Sequence, residues 1–354
     1  MQKSERYISS SVHPRRIPGI FSGIFLVAIM LFQQQTVMAQ EGQRSSAIEK
    51  ACRLITKQSL RQTVTSLADP ELRGRESGTD GAVYARGIIT DAFYDSNIGM
   101  KGQTYLYGFY YCKGNEKVLG ANAIGYIPAD SSIENPKTVV IGAHYDHLGV
   151  LAGRIYPGAD NNASGVAALI EIGKAMAALS SEGFHPGCNI CLVAFDGKEL
   201  DFTGSSTFLG SGFVPKSEIS LMINLDQIGT TLAPPKQAQT DGLLPKNYLL
   251  FLGMDNVGEE VKAAFEKANS EEGQQSMILD FTYYSNSQVN DMLYKMGDQY
   301  VFHQAGIPAM AITSGIHKYT NKIADRPDII NFNALTERCR LIFKALVGLT
   351  EVKK

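Results

Sequence analysis

Cysteine is too scarce in this 354-residue chain to build a disulfide framework. There are five, Cys52, Cys112, Cys188, Cys191 and Cys339, and the odd number leaves at least one unpaired. Cys188 and Cys191 have the spacing of a redox or zinc-knuckle pair, but no second pair accompanies them. They flank the start of an apolar run, Ile190–Phe195, where residues three apart point to opposite faces. Buried structural thiols are therefore expected. Positive charge is not in excess: 33 Lys and Arg stand against 35 Asp and Glu, which leaves no basic footprint for nucleic acid. No internal repeat and no low-complexity linker interrupts the chain, so a single domain is expected over residues 40–354.

The first 39 residues read as an address. Lys3, Arg6, Arg15 and Arg16 precede an apolar stretch from Ile20 to Phe32. Val37 and Ala39 then place small residues where a signal peptidase reads, which predicts a signal peptide over 1–39 with cleavage after Ala39. The apolar stretch falls short of the ~20 residues that span a bilayer, so a permanent anchor is not expected. No cysteine follows the cut to carry a lipid. Cleavage would remove four positive charges and one negative, moving the formal net charge from −2 to −5. The expectation is an exported protein, periplasmic or extracellular, with no membrane attachment once cleaved. Only five histidines would remain: His144, His147, His185, His303 and His317.

What is present is an alternation of buried strands and helices. Ala123–Ile127 and Thr138–His144 are β-rich runs separated by a turn containing Pro, Asp and Ser. Ser164–Leu179 carries apolar residues at helical spacing behind an Asp-Asn-Asn cap. Ile190–Phe195, Leu221–Ile228 and Leu249–Leu252 read as further strands. Gly258–Ala268, Gln299–Ala305 and Ala334–Leu349 read as helices. The pattern predicts an α/β fold, a mainly parallel sheet with helices on both faces, whose ligands bind at the carboxyl ends of strands.

Polar residues gather at those ends. Gly142-Ala143-His144-Tyr145-Asp146-His147 closes one apolar strand, with His144 and Asp146 leaving on the same side. A carboxylate so placed can fix the tautomer of a metal-bound histidine. Pro157–Gly165 follows, and a helix cap by Asp160 or Asn162 explains one of its polar side chains but not the run. Phe195-Asp196-Gly197-Lys198-Glu199 closes the next strand. Ile223–Gly229 holds Asp226 within an apolar stretch, where a carboxylate needs a cation or hydrogen-bond donors. Gly306-Ile307-Pro308-Ala309 and then Ser314-Gly315-Ile316-His317 come last. One histidine and three carboxylates at strand ends, with a late histidine, suit zinc.

In this order and wording the segments resemble the zinc exopeptidases of metallopeptidase family 28, which include leucyl aminopeptidases, glutamate carboxypeptidase-like enzymes and glutaminyl cyclases. The resemblance runs from Leu72-Arg73-Gly74-Arg75-Glu76-Ser77-Gly78-Thr79 to about Phe332, supported by Asp325-Arg326-Pro327-Asp328. It implies a three-layer sandwich around a mixed, mostly parallel sheet of about eight strands, with no inserted protease-associated domain. It also implies a ligand set. His144 and Asp226 would bind one zinc, Asp160 would bridge to a second, and Glu199 would bind that second zinc. Asp146 would orient His144, and the peptide between Asp160 and Asn161 would be cis.

Two positions depart from the family. Where it has Gly-Glu-Glu this chain has Gly197-Lys198-Glu199, so Lys198 stands at the position of the general base. Where the last zinc ligand, a histidine, follows a tyrosine, Tyr319 is followed by Thr320, which leaves His317 as the late ligand. An ammonium ~4 Å from a dication meets roughly 8 kcal/mol of repulsion at an effective dielectric near 20. Either Lys198 is neutral and acts as an unusual base, or its ammonium replaces the second zinc. Loss of the late histidine favours replacement, hence one zinc per chain rather than two. The expected function is a zinc-dependent exopeptidase-like hydrolase of aminopeptidase type acting on peptide or aminoacyl substrates. Asp146 and Lys198 are its candidate catalytic residues. A non-catalytic binder of peptides or metal is the alternative, and a glutaminyl cyclase ranks last.

Overall fold

A computed structural model describes residues 38–233, 247–271, 277–282 and 288–352. The expected signal peptide lies almost wholly outside the described residues. The chain divides into two units, Met1–Ala47 and Ile48–Lys354. In the first, residues 38–47 are helical. The second holds every element named below.

Eight of its strands form one sheet. In chain order the strands are β1 (Leu106–Lys113), β2 (Glu116–Ile127), β3 (Thr138–His144), the short pair β4 (Val150–Leu151) and β5 (Arg154–Ile155), and β6 (Asn189–Phe195). They continue with β7 (Ile219–Leu225), β8 (Tyr248–Leu252), β9 (Ile278–Asp280) and β10 (Ala309–Thr313). The order across the sheet is β1-β2-β6-β3-β7-β10-β8-β9, with β4 and β5 pairing apart from it. The central strands β6, β3, β7 and β10 are mutually parallel; β2 joins β6 and β8 joins β10 antiparallel, β1 pairs antiparallel with β2, and β9 pairs parallel with β8. Continuous apolar sequences such as Thr-Val-Val-Ile-Gly-Ala-His in β3 suit strands covered on both faces, and every residue of β3 is buried.

The helices are α1 (Lys57–Leu67), α2 (Asp80–Asp95), α3 (Ser164–Ser181), α4 (Thr203–Ser211), α5 (Glu259–Glu271), α6 (Gln288–Tyr294), α7 (Gln299–Gln304) and α8 (Phe332–Leu349). Alternate residues of β6 show that the sheet is covered on two sides. Leu192 meets Gly173 of α3, while Cys191, Val193 and Phe195 join Phe208 of α4 and Phe302 of α7. Helices α1, α3 and α8 pack together. The three-layer α/β expectation holds; of the two cysteines expected to be buried, Cys191 is and Cys188 is only partly so.

Near the strand ends, one boundary and one peptide bond differ from the sequence reading. β7 stops at Leu225, so Asp226 lies just past the strand rather than inside it. The chain turns there because Gln227 adopts a positive φ of 51° and gives its carbonyl to Ser314 N–H, which ends the ladder. The cis peptide is Asn161–Asn162, one residue later than expected.

Candidate metal and peptide site

The carboxyl ends of β3, β6, β7 and β10 share one edge of the sheet and deliver His144, Lys198, Asp226 and His317 to it. The supporting loops are wired through buried polar groups. Arg75 is fully buried, and its guanidinium donates to the carbonyls of Leu67, Tyr145, Pro157 and Gly158. One side chain thus joins the loop after β3 to the loop before α3. Burial lowers its pKa to about 10, so it remains a cation. Gly74 makes the close approach feasible: a Cβ there would sit 2.5 Å from the Tyr156 carbonyl oxygen, and its φ is +74°.

Asp146 serves differently from the expectation. The Nδ1 of His144 faces the backbone carbonyl of Asp146 at 3.0 Å, whereas the Asp146 carboxylate is 3.8 Å away. That carboxylate instead accepts the N–H groups of Lys198 and Glu199, each at 3.0 Å. It clamps the turn after β6 and thereby places the two side chains that follow. Burial raises the Asp146 pKa.

Lys198 closes one half of the site. Its Nζ donates to Glu199 Oε1 at 3.0 Å, with 13% of its side chain exposed. Burial works against the ammonium, but attraction to Asp226 and Glu199 outweighs it and raises the pKa. An ammonium so paired has no lone pair to accept a proton. Asp160 closes the same region from the other side. Its Oδ1 accepts from Ser164 Oγ and Gly229 N–H, and its Oδ2 lies 3.0 Å from Nε2 of His317. Tyr319 N–H donates to Nδ1 of His317, so a neutral His317 carries its proton on Nε2 and donates it to Asp160. Both ring nitrogens are then engaged.

His144 and Asp226 form the open half. The Nε2 of His144 and Oδ1 of Asp226 are buried, have no hydrogen-bond partner and lie 3.7 Å apart. Burial opposes protonation of His144 while Asp226 favours it, and the net shift is upward. Burial likewise acts to raise Asp226, but His144 and Lys198 pull it below the ordinary carboxylate value.

Zinc is what the resemblance implies, and the donors can be tested against it. With Nδ1 of His144 facing a carbonyl, its Nε2 offers a lone pair, as does Oδ1 of Asp226, and two such unpartnered buried atoms suit a shared cation. The remaining expected ligands are spent: Glu199 on Lys198, and Asp160 and His317 on each other. Among the described residues no three His, Cys, Asp or Glu side chains are arranged to hold a metal ion. The set as it stands does not fit a pair of zincs.

Two further acids belong here that the sequence reading did not single out. Asp325 is buried, and its carboxylate accepts the N–H groups of Asp160 and Asn161 at 2.8 and 3.0 Å. Burial and Asp160 raise its pKa to about 6. Asp298, just before α7, is buried with neither carboxylate oxygen partnered, and burial raises its pKa against the pull of His144 and Lys198. An acid beside a helix start was the available signal; in the structure the Asp298 side chain makes no cap hydrogen bond.

The model of peptidase family M28 matches residues 122–346, which is more than half of the chain and includes every site residue named above except Arg75 and Gly74. The chain belongs to peptidase family M28. Aminopeptidase YwaD of Bacillus subtilis (strain 168) is 31% identical over 113 residues, 31% of this chain and 22% of YwaD. The chain thus spans about a fifth of the length of that curated relative. Among solved structures, the zinc aminopeptidase BSAP of Bacillus subtilis superposes with a TM-score of 0.61 at 15% identity, over 84% of this chain and 96% of that one. Porphyromonas gingivalis glutaminyl cyclase gives 0.61 at 15% identity, over 82% and 97%. At these identities the superpositions establish the fold of family M28 and nothing finer. Next to the M28 site lies a cavity of about 390 Å³, lined by Lys198, Asp226 and His317 and extending over apolar side chains of β8, α6 and β10.

Proposed function

We propose that this protein binds peptide or aminoacyl ligands in the family M28 cleft, and that its native site is a poor hydrolase because a fixed cation stands where the general base belongs. The observation that carries this reading is the Lys198 Nζ–Glu199 Oε1 pair at 3.0 Å. It holds the lysine protonated and removes Glu199 from the donors of a second metal. Family membership supports peptide ligands, and Asp146 holds the turn that presents the cation. We place the protein outside the cytoplasm, on the sequence of its first 39 residues.

A leucyl peptide incubated with purified protein and excess zinc, followed by calorimetry and product analysis of the same sample, tests the reading. Binding with little or no release of leucine is expected. Rapid release would instead support a second reading, a zinc exopeptidase of aminopeptidase type with one metal. The unpartnered His144 Nε2 and Asp226 Oδ1 favour that reading. Elemental analysis giving one zinc per chain, together with turnover, would establish it.

A further inference from the structure

The sheet ends differently on its two sides. Its last strand, β9, is three residues long and closes on the charge of Asp280, which blunts that edge. The other edge strand, β1, runs for eight residues against β2 in unbroken register, from Leu106 with Ala123 to Lys113 with Glu116. It holds no proline, no bulge and no charge before Lys113. Short length, proline, bulges and charge are the usual protections of an exposed edge, and β1 lacks them.

The hydrogen-bond phase defines what this edge offers. Tyr105 C=O accepts from Ile124 N–H at 2.7 Å. An antiparallel ladder alternates, so Tyr107, Phe109, Tyr111 and Lys113 spend their main-chain groups on β2. Leu106, Gly108, Tyr110 and Cys112 turn theirs outward. Thr104 Oγ1 takes the Leu106 N–H at 3.1 Å. Among the described residues the outward groups of Gly108, Tyr110 and Cys112 have no partner.

Those four side chains share one face of the sheet, are all exposed, and alternate large and small. Read backwards, the series is small wherever it was large. An antiparallel copy centred on Phe109 therefore sets Tyr110, 63% exposed, against the partner's Gly108 and sets Leu106 beside the partner's Cys112. Leu119 of β2 borders the glycine and extends the apolar contact: a Cβ on Gly108 would lie 3.6 Å from its Cδ1. The two Lys113 ammonium groups would stand about 27 Å apart, at about 3.4 Å per residue, whereas parallel pairing would set them side by side.

We propose that β1 is a self-association edge, through which two copies of this chain pair antiparallel over Leu106–Cys112 and continue the sheet across a two-fold axis. The pairing supplies about six main-chain hydrogen bonds, counting the Leu106 N–H groups as spent. The match of large to small selects a second copy over an unrelated strand.

Sedimentation equilibrium of the purified protein across a concentration series tests it. The native protein should show a reversible monomer–dimer equilibrium. Tyr110→Glu places a charge on an exposed side of the edge and should weaken association at least about tenfold, roughly 1.4 kcal/mol, with native circular dichroism. Leu106→Cys gives an independent readout. Facing the partner's Cys112 as a hydrogen-bonded pair, with Cα atoms about 5.5 Å apart, it should form an intermolecular disulfide under mild oxidation. Leu119→Cys, exposed but on β2, should not. A native protein that stays monomeric throughout overturns the proposal, even if the edge takes up an unrelated peptide. A dimer that Tyr110→Glu leaves intact, or that Leu106→Cys fails to cross-link, overturns it as well, because another surface then joins the copies.

Discussion

A buried arginine is stabilising only if its donors are satisfied, and Arg75 meets that condition with four carbonyls drawn from three separate segments. Lysine could not reproduce this, since it offers a compact charge in place of a planar fork. Arg75→Met would leave buried carbonyls unpaired in the loops that carry His144 and Asp160, at a cost of roughly 3–5 kcal/mol. Urea denaturation should show that loss as a lower midpoint with little change in slope. A shift under about 1 kcal/mol would mean that water or a relaxed backbone replaces the guanidinium. Arg338 meets the condition only in part: it donates to Asn247 and to the carbonyls of Ile228 and Thr230, near the turn that carries Asp226, but its Nη2 is buried without a partner. Lys198 differs from both arginines. Its partner is a single carboxylate, and its surroundings are acids that in this family are ligands.

Three of the four central strands, β3, β6 and β7, were legible because burial on both faces leaves an apolar run, whereas the fourth, β10, is only five residues long and was not read as a strand. Strand β1 was not legible either. It lies at an edge, mostly exposed, and its sequence carries no strict alternation. Helix α2 escaped for another reason: its buried stripe is made largely of Gly81, Ala82 and Ala85, which give little periodic signal. The strand end at Leu225 depends on Gln227 bonding across to Ser314, a contact between segments far apart in the chain. The same holds for the site. His144, Asp160 and Asp226 were singled out from polar runs at strand ends and His317 as the late histidine left over, but the pairing of Asp160 with His317 and the contacts of Asp325 arise from packing at long range. Local signals do govern helix ends. The Asn331 side chain accepts from Ala334 N–H and starts α8, which packs on α1, α3 and α5. Asn331→Ala should cost about 1 kcal/mol, read as a lower unfolding midpoint. No change would show that tertiary packing alone fixes that helix start.

At its strand ends the family M28 sheet carries a lysine paired with a carboxylate. Among the described residues no disulfide joins the cysteines, and Cys52, Cys191 and Cys339 are buried. Intact mass of protein recovered from its native envelope should begin at Gln40, and a full-length cytoplasmic species would contradict export. The central claim, that the Lys198 ammonium is what keeps this M28 site from turning over, is tested by one comparison. Native protein and Lys198→Glu are assayed side by side with excess zinc on a leucyl reporter and on the same substrate with its amine blocked. General-base catalysis is worth about 10²–10⁴-fold, so replacing the cation by the family's acid should raise hydrolysis by a measurable part of that range on at least one substrate. A native protein that hydrolyses the reporter well and loses rate on Lys198→Glu would contradict the account and make the lysine itself the catalytic group.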